Sequence, residues 1–279
     1  MDFRFPFPLS PERAGPGTLI SYISLQPGAG ASTLACLHAN SLSHEVALID
    51  FSPSAKVRAY VGITEDRSAA SILGLKNISD EAEIYHASEK RDNVYIFPGV
   101  TKIANINLVN SQVHLKAVTS LKSEFKHSIA VLGGLNGPSW LTAMLSDIVC
   151  VVVGPYRPDM DAFRENIDFL ARLGCKNRLR IILNKAEHQQ GIKIKDCISF
   201  FHPDFTIPYD EKIIRQGNVR NLVPKAVHTK VFSNLMLQDT SEQDAVDPYL
   251  IGALAAKDGL IAYEEIANIE SKETRRDEF

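Results

Sequence analysis

Short apolar runs alternate with segments of helical periodicity along most of this chain. The helical pattern covers Ser32–Ser43, Leu108–Phe125 and Asp159–Leu173. The apolar runs predict buried strands at Thr18–Leu25, Val46–Phe51, Val94–Gly99, Ile129–Gly134, Ile148–Gly154, Leu179–Asn184 and Phe205–Pro208. Unbroken apolar strands separated by helices are typical of a sheet that is covered on both faces. The predicted fold class is therefore α/β, with one doubly wound, mainly parallel sheet.

The two ends of the chain do not follow this alternation. Residues 1–17 are predicted to form an extended arm, because four prolines there prevent regular structure: Pro6, Pro8, Pro11 and Pro16. Phe3, Phe5 and Phe7 alternate along this arm and either cover an edge of the domain or contact a partner. Residues 18–236 form the predicted α/β domain. Residues 237–279 are predicted to hold an acidic surface loop, a helix that Pro248 opens, and a frayed tail.

The composition fits one large domain in a reducing compartment. The chain has 279 residues, 45% of them hydrophobic, and a formal net charge of −3, so no general basic footprint indicates nucleic acid. Its cysteines are scattered and form no disulfide framework or zinc motif: Cys36, Cys150, Cys175 and Cys197. No apolar run approaches the ~20 residues of a membrane span, and the charged, proline-rich start is unlike a signal peptide. A cytoplasmic location is predicted.

A glycine-rich turn follows the first predicted strand and leads into a helix. Backbone N–H groups and a helix N-terminus face an anion together in this context, so the turn from Gln26 to Thr33 is a candidate phosphate loop. Against the pattern GxxxxGK[ST], Gly30 and Ser32 match, whereas Leu25 replaces the first glycine and Ala31 replaces the lysine. The alternative is a tight turn without a ligand.

A dinucleotide site is a second interpretation of the same turn. Gly28-x-Gly30 follows the first strand, and Asp50 ends the second strand about twenty residues later, where a ribose-binding acid belongs. The third glycine of that fingerprint falls at Thr33, which disfavours a close contact between helix and strand.

Several motifs in the expected order resemble the MinD/ParA family of P-loop ATPases. ISLQPGAGASTLACLHAN with HEVALIDFSP is similar to its opening, whose deviant Walker A motif is KGGxGK[ST][ST]. VYIFPG, SDIVCVVVGPYRPDMDAFREN, LRIILNK and FTIPYDEKIIRQGN resemble its later strands and helices. The loop is most similar to the CpaE/TadZ pilus-assembly branch, where GGVGAST commonly replaces the lysine with alanine. The resemblance implies a P-loop NTPase-like fold.

The resemblance also implies that much of the catalytic equipment is missing. The signature lysine, which reaches a partner subunit's nucleotide, falls at Gln26, and the phosphate lysine falls at Ala31. The second acid after the second strand falls at Ser52, and the Walker B aspartate falls at Gly133. Phosphoryl transfer depends on charge placement, and the loss of one well-placed group costs a factor of ~10²–10³ in rate. ATPase activity is therefore expected to be absent or very weak.

The residues that the resemblance retains form the candidate nucleotide site. They are Gly28, Ala29, Gly30, Ala31, Ser32, Thr33, Asp50, Asn184 and Pro208. The family's roles place the magnesium-binding hydroxyl at Ser32, an acid at Asp50, the adenine-facing amide at Asn184 and the base-pocket turn at Pro208. Each has a structural alternative: Ser32 as a helix N-cap, Asp50 as a satisfied turn acid, and Asn184 as a residue that bonds its own loop.

The leading functional prediction is a MinD/ParA/CpaE-like pseudo-ATPase that acts as a positioning scaffold for Tad pilus or secretion assembly. It is expected to bind ATP or ADP weakly or not at all, with Mg²⁺ if nucleotide binds. The expected partners are a second copy, forming a homodimer, and a protein of a secretion or positioning machine. Direct nucleic-acid binding and direct membrane insertion are not expected, since the C-terminal segment has more acids than bases.

Two other functions stay open from the sequence. One is an active partitioning-type ATPase with atypical ligands, in which Lys56 or Arg58 substitutes for the missing lysines. The other is a dinucleotide-dependent oxidoreductase.

Overall fold

All seven apolar runs form parallel strands of one sheet. The computed structural model describes residues 14–63, 70–77, 81–135, 137–188, 191–237 and 246–257. Within these residues eight strands lie in the order β3-β4-β2-β5-β1-β6-β7-β8. They are β1 (Thr18–Ser24), β2 (Val46–Asp50), β3 (Glu89–Arg91), β4 (Val94–Phe97), β5 (His127–Val131), β6 (Ile148–Val153), β7 (Leu179–Ala186) and β8 (Phe205–Pro208). The predicted doubly wound, mainly parallel sheet is confirmed.

Strand β3 is the exception to both the pattern and the direction. It runs antiparallel to β4 at one edge of the sheet, and its three residues are all charged. No apolar periodicity marks it, so the sequence did not predict it.

Helices cover both faces of the sheet. They are α1 (Ala31–Ser41), α2 (Lys56–Val61), α3 (Glu81–His86), α4 (Ile103–Ile106), α5 (Ser111–Glu124), α6 (Ser139–Leu145), α7 (Arg157–Arg172), α8 (Ile194–Phe201), α9 (Glu211–Asn218), α10 (Ala226–Met236) and α11 (Pro248–Lys257). Short 3₁₀ segments lie at Ile72–Asn77 and Lys176–Arg178. No helix among the described ranges is long and apolar enough to cross a membrane.

The sheet separates two hydrophobic cores, and β1 contributes to both. Leu19 and Ile23 pack with α5, α6, α7 and α8 on one face, whereas Ile20 and Tyr22 pack with α1 and α10 on the other. Side chains alternate across a strand, so a strand that is apolar at every position must be covered on both sides. The central position of β1, between β5 and β6, places the turn that follows it where the connections diverge to the two halves of the sheet.

The chain enters β1 against the end of α5. Ala14 is buried, and the Gly17 N–H donates to the carbonyl of Lys122 at 2.8 Å. A Cβ on Gly17 would lie 2.1 Å from the carbonyl oxygen of Phe125, so only glycine fits there. Part of the predicted arm, with its alternating aromatic residues, lies outside the described residues: Phe3, Phe5 and Phe7. The arm and the other domain boundaries stay predictions.

Candidate functional site

The glycine-rich turn leaves β1 and enters α1 with both of its glycines in the left-handed region. Gly28 has φ 97° and Gly30 has φ 108°, conformations that favour glycine. Gly30 is the N-cap of α1, and no side chain caps it. The structure therefore contradicts the alternative in which Ser32 caps the helix, because Ser32 lies inside the first helical turn. The N–H groups of that turn lack an intrahelical acceptor and form the kind of N-terminus that binds anions.

The end of β7 holds this turn in place. Asn184 Nδ2 donates to the Ala29 carbonyl at 2.8 Å, and Lys185 Nζ donates to the Gly28 carbonyl at 2.5 Å. A Cβ on Gly30 would lie 2.3 Å from Asn184 Nδ2, so the second glycine is needed for close approach as well as for its φ. Asn184 therefore forms its hydrogen bond with the glycine-rich loop rather than with its own loop. It also lines the cavity that opens over this turn.

A cavity of about 450 Å³ opens over the turn and brings together most of the predicted site. This volume lies in the range of ~300–1,000 Å³ that is typical of small-molecule sites. The predicted residues that line it are Gly28, Gly30, Ala31, Ser32, Thr33, Asn184 and Pro208. Ala29 is buried and contributes its carbonyl to Asn184 instead.

Part of the cavity lining is apolar. Leu34 and Leu37 of α1, Ile207 of β8 and Ile213 of α9 belong to one buried cluster, Tyr60 packs against it, and all five residues line the cavity. A lining that combines an anion-binding helix N-terminus with apolar side chains fits a molecule with an anionic chain and a flat ring.

Asp50, the remaining predicted residue, lies outside this cavity. It lines a separate cavity of about 350 Å³ toward α5 and α6. Its Oδ1 accepts from the Ser52 N–H at 2.9 Å and the Ser52 hydroxyl at 2.5 Å, and its Oδ2 accepts from the Val57 N–H at 3.0 Å. Burial raises the pKa of this carboxyl, while these hydrogen bonds and Arg58 oppose the shift. In this arrangement Asp50 organises its own turn and the start of α2.

The end of β5 presents no carboxylate to the cavity. Gly133 and Gly134 line it, and Gly133 has φ 73°. A Cβ on Gly133 would lie 2.8 Å from the Ser52 Cβ, so the loops after β2 and β5 are in contact at the two positions where the resemblance in sequence implies acids. Ser52 and Gly133 therefore belong to one packed contact.

Solved structures with the same fold were found, although sequence comparison found nothing: no family model and no curated protein matches the chain. Similar structures include a ParA family ATPase from Chlorobium tepidum, at 18% identity and a TM-score of 0.64, covering 81% of this chain and 99% of that one. MinD from Pyrococcus horikoshii, complexed with Mg-ADP, has 18% identity and a TM-score of 0.60 over 78% and 94% of the two chains. The MinC:MinD complex from Aquifex aeolicus has 16% identity and a TM-score of 0.61, over 80% and 97%. The chain has the MinD/ParA fold.

Within this MinD/ParA fold, two lysines that lie outside the glycine-rich loop line the cavity. Of the two substitutes proposed from the sequence, Lys56 lines the cavity, whereas Arg58 does not. The Arg58 guanidinium is buried and donates to the carbonyls of Gly99 and Ala70, so it holds two loops together instead. Lys185, which also lines the cavity, was missed by the sequence reasoning. It directly follows Asn184 in the segment LRIILNK, and this position could have identified it as a candidate.

The side chains near the glycine-rich turn of this MinD/ParA fold do not form a site that would bind Mg²⁺ without a nucleotide. Such ions are usually bound by one or two carboxylates together with substrate phosphates. Asp50 is engaged by Ser52 and Val57, Gly133 has no side chain, and the Ser32 hydroxyl is the one predicted ligand that lines the cavity. Among the described residues, no group of three or more His, Cys, Asp or Glu side chains is arranged to hold a metal.

Proposed function

We propose that this protein binds ATP or ADP in the cavity over the glycine-rich turn and does not hydrolyse it at a significant rate. The observation that carries the proposal is the uncapped N-terminus of α1, whose first turn lines a cavity that apolar side chains also line. The phosphates would accept hydrogen bonds from the turn and from the first turn of α1, where Ser32 and Thr33 lie. The base would pack against the apolar lining, near Asn184 and Pro208. Backbone donors need no particular side chain, so binding survives the loss of the loop lysine.

The proposed lack of hydrolysis has a different basis. The positions of the two family lysines hold Gln26 and Ala31, and neither side chain carries charge. The carboxylates that would organise a metal ion are replaced by the contact between Ser52 and Gly133. The transition state of phosphoryl transfer is stabilised by charges placed around it, and these positions supply none.

A titration with a charge-matched pair of variants tests binding. Thr33 lines the cavity in the first turn of α1, where an acidic side chain stabilises a helix, so Thr33→Glu repels phosphate without loss of folding. We expect calorimetry to detect ATP and ADP but not NAD, with affinity reduced about tenfold or more by Thr33→Glu and little changed by Thr33→Gln. Absence of nucleotide binding, or equal affinity of the Glu variant, would contradict the proposal.

Phosphate release tests the second half of the proposal. We expect wild-type protein with Mg-ATP to release no more phosphate than a variant in which Ser32 and Asp50 are both replaced. Turnover that Ser32→Ala abolishes would favour an active partitioning-type ATPase. One observation favours that second candidate, because Lys56 and Lys185 bring positive charge to the cavity.

The dinucleotide alternative has less support. A ribose-binding acid must be presented to the ligand, whereas Asp50 is buried, lies outside the lining of the cavity over the turn, and accepts hydrogen bonds from Ser52 and Val57. The NAD arm of the titration tests it directly.

We further propose a scaffold role as a homodimer whose facing surfaces include the glycine-rich turn. The MinD/ParA fold and the resemblance of the loop to the CpaE/TadZ branch support a positioning role, possible partners being proteins of a Tad pilus or secretion machine. Gln26 hydrogen-bonds across such a contact without a γ-phosphate to attract it, so association depends little on ATP. Light scattering with and without Mg-ATP tests this: a monomer in both conditions, or a dimer only with ATP, contradicts it. The cytoplasmic location stays a prediction.

A further inference from the structure

Two lysines from different elements line the cavity that opens over the glycine-rich turn. Lys56 is the first residue of α2, and Lys185 belongs to the end of β7; both line the cavity. Lys185 Nζ lies 2.5 Å from the Gly28 carbonyl, so its charge is held against the turn. Neither lysine has a carboxylate within 4 Å among the residues that the structure describes.

The remaining charges around the cavity do not cancel these two. Asp210 lines the cavity, but Lys225 pairs with it. His228 accepts the Lys225 N–H at 3.1 Å, and burial lowers its pKa, so it is neutral at pH 7. Asp159 is close enough to affect Lys185 but forms no ion pair with it. Among the described residues, the cavity lining therefore carries two positive charges that form no ion pair with a carboxylate.

Bringing the two cations together is unfavourable for the empty protein. Burial lowers the pKa of Lys185; Asp159 opposes this shift, and the charge of Lys56 adds to it. An anion between like charges removes this repulsion, and a phosphate chain offers several oxygens to both lysines at once.

We infer that Lys56 and Lys185 supply the phosphate-binding charge that the loop has lost at Gln26 and Ala31, so that the cavity binds a di- or triphosphate chain through cations from α2 and β7. This deepens the proposed function and rests on the same cavity. It makes affinity depend on the number of phosphates, and it assigns Lys185 a contact with the ligand in addition to its hydrogen bond with the turn.

The test uses the full chain, two ligand series and charge-matched variants. Calorimetry measures tripolyphosphate alone and the series adenosine, AMP, ADP and ATP, for wild type, Lys56→Met, Lys185→Met, the double Met variant and Lys185→Arg. Lys195→Met, in α8 and outside the cavity lining, is the control. We expect each Met variant to weaken ATP and tripolyphosphate about fivefold to tenfold, the double variant about thirtyfold or more, and adenosine by less than about twofold. Lys185→Arg restores binding to within about threefold of wild type, since it retains the charge.

The outcomes separate this inference from the proposed function. If ATP binds and the double Met variant loses ATP and adenosine to the same degree, Lys185 only holds the turn and the inference is wrong. Unchanged ATP binding in the double variant also overturns it, while nucleotide binding itself stands. Lysine-dependent binding of tripolyphosphate without ATP binding would uphold the inference and overturn the nucleotide proposal. Binding of neither ligand overturns both. Lys56→Met leaves the Lys185 hydrogen bond intact, so it is informative even if Lys185→Met disturbs the turn.

Discussion

The glycine-rich side of the cavity and the side formed by the ends of β2 and β5 use their polar groups in opposite ways. On the first side, the N-terminus of α1 has no side-chain cap, and Lys56 and Lys185 face the cavity without carboxylate partners among the described residues. On the second side, Asp50 accepts two hydrogen bonds from Ser52 and one from the Val57 N–H of α2, and Ser52 packs against Gly133. An anion site needs hydrogen-bond donors that have no partner in the protein, whereas a metal site needs carboxylates that have none. Within the described residues, the donors at the start of α1 lack such partners, whereas Asp50 has them. We call the first side of the cavity the open side and the second the closed side.

Under the proposed function, this contrast separates nucleotide binding from hydrolysis. Backbone donors are present wherever a helix begins, so the turn tolerates changes in side chain. Carboxylates that hold a catalytic metal need acceptor sites that no protein group occupies. A packed contact such as that between Ser52 and Gly133 leaves no room for such a carboxylate. Substitutions on either side test this contrast, and we expect their effects to differ in size.

Introducing an acid at Gly133, on the closed side, is expected to lower the stability of the protein more than any other substitution considered below. In Gly133→Asp the new Cβ meets the Ser52 Cβ at 2.8 Å, and Gly133 has φ 73°. We expect the free energy of unfolding to fall by about 4 kcal/mol in urea titrations, from overpacking and backbone strain. Adding Ser52→Gly removes the contact and should recover about half of the loss. An unchanged stability for Gly133→Asp would show that the loops after β2 and β5 are not packed as described.

On the open side, the two glycines are expected to differ. Both have positive φ, but a Cβ on Gly30 meets Asn184 Nδ2 at 2.3 Å, whereas a Cβ on Gly28 meets nothing within 4 Å. Gly30→Ala should lower the free energy of unfolding by about 3 kcal/mol and Gly28→Ala by about 1 kcal/mol, because the first also breaks the Asn184 hydrogen bond. The difference should shrink in an Asn184→Ala background. Equal effects of the two alanines in the wild-type background would contradict the close approach of β7 to the turn.

Removing the charge of Asp50 is expected to cost stability, although Asp50 is buried. Both oxygens accept N–H groups, so the amide of Asp50→Asn turns an N–H toward another N–H. We expect a loss of about 2 kcal/mol at pH 7, measured by chemical denaturation. Asp161→Asn, on the exposed face of α7, is the control and should change stability by less than about 0.5 kcal/mol. A stabilised Asp50→Asn variant would mean that the carboxylate is strained and poised for a ligand.

Asp159 is expected to respond with the opposite sign. Its Oδ1 is buried and has no partner among the described residues, and burial raises the pKa of its carboxyl from 3.8 to about 6. The folded state therefore holds this proton more tightly than the unfolded state, so the charged form destabilises the fold above pH 6 and not below pH 4. Asp159→Asn should stabilise the protein by about 1–2 kcal/mol at pH 8, and the gain should vanish as the pH falls through 6 toward 4. A gain that is constant from pH 4 to pH 8 would exclude the carboxyl titration as its cause.

The smallest expected effect concerns magnesium. Since the closed side offers no free carboxylate near Ser32, Mg²⁺ should raise the affinity for ADP by less than about threefold. Calorimetry with Mg²⁺ and with a chelator measures this ratio. A stronger dependence that Asp50→Asn removes would show that Asp50 leaves its turn to reach the ion.

The sheet and the glycine-rich turn could be predicted from the sequence because both depend on local pattern. Apolar strands are visible in the chain, and a turn with two glycines between a strand and a helix has few other structural roles. Strand β3 could not be found in this way, since its charged residues pair with β4 only after the sheet exists. Lys185 directly follows Asn184 and could have been found by that position, but its contact with the turn is a hydrogen bond to Gly28, 157 positions away, which no local pattern shows. The packing of Ser52 against Gly133 likewise joins two loops that the sequence separates.

Strand β3 also limits how copies of this protein can associate. Its Arg91 pairs with Glu89 and its Lys90 with Glu45, so the outer edge of the sheet carries a row of charges. Charged residues on an edge strand resist the addition of a foreign strand, because the newcomer would have to bring its backbone past solvated ions. The opposite edge, β8, is four residues long and ends in Pro208, which has no N–H to donate. Both margins of the sheet therefore disfavour the addition of a further strand, and we expect the protein to resist edge-to-edge aggregation.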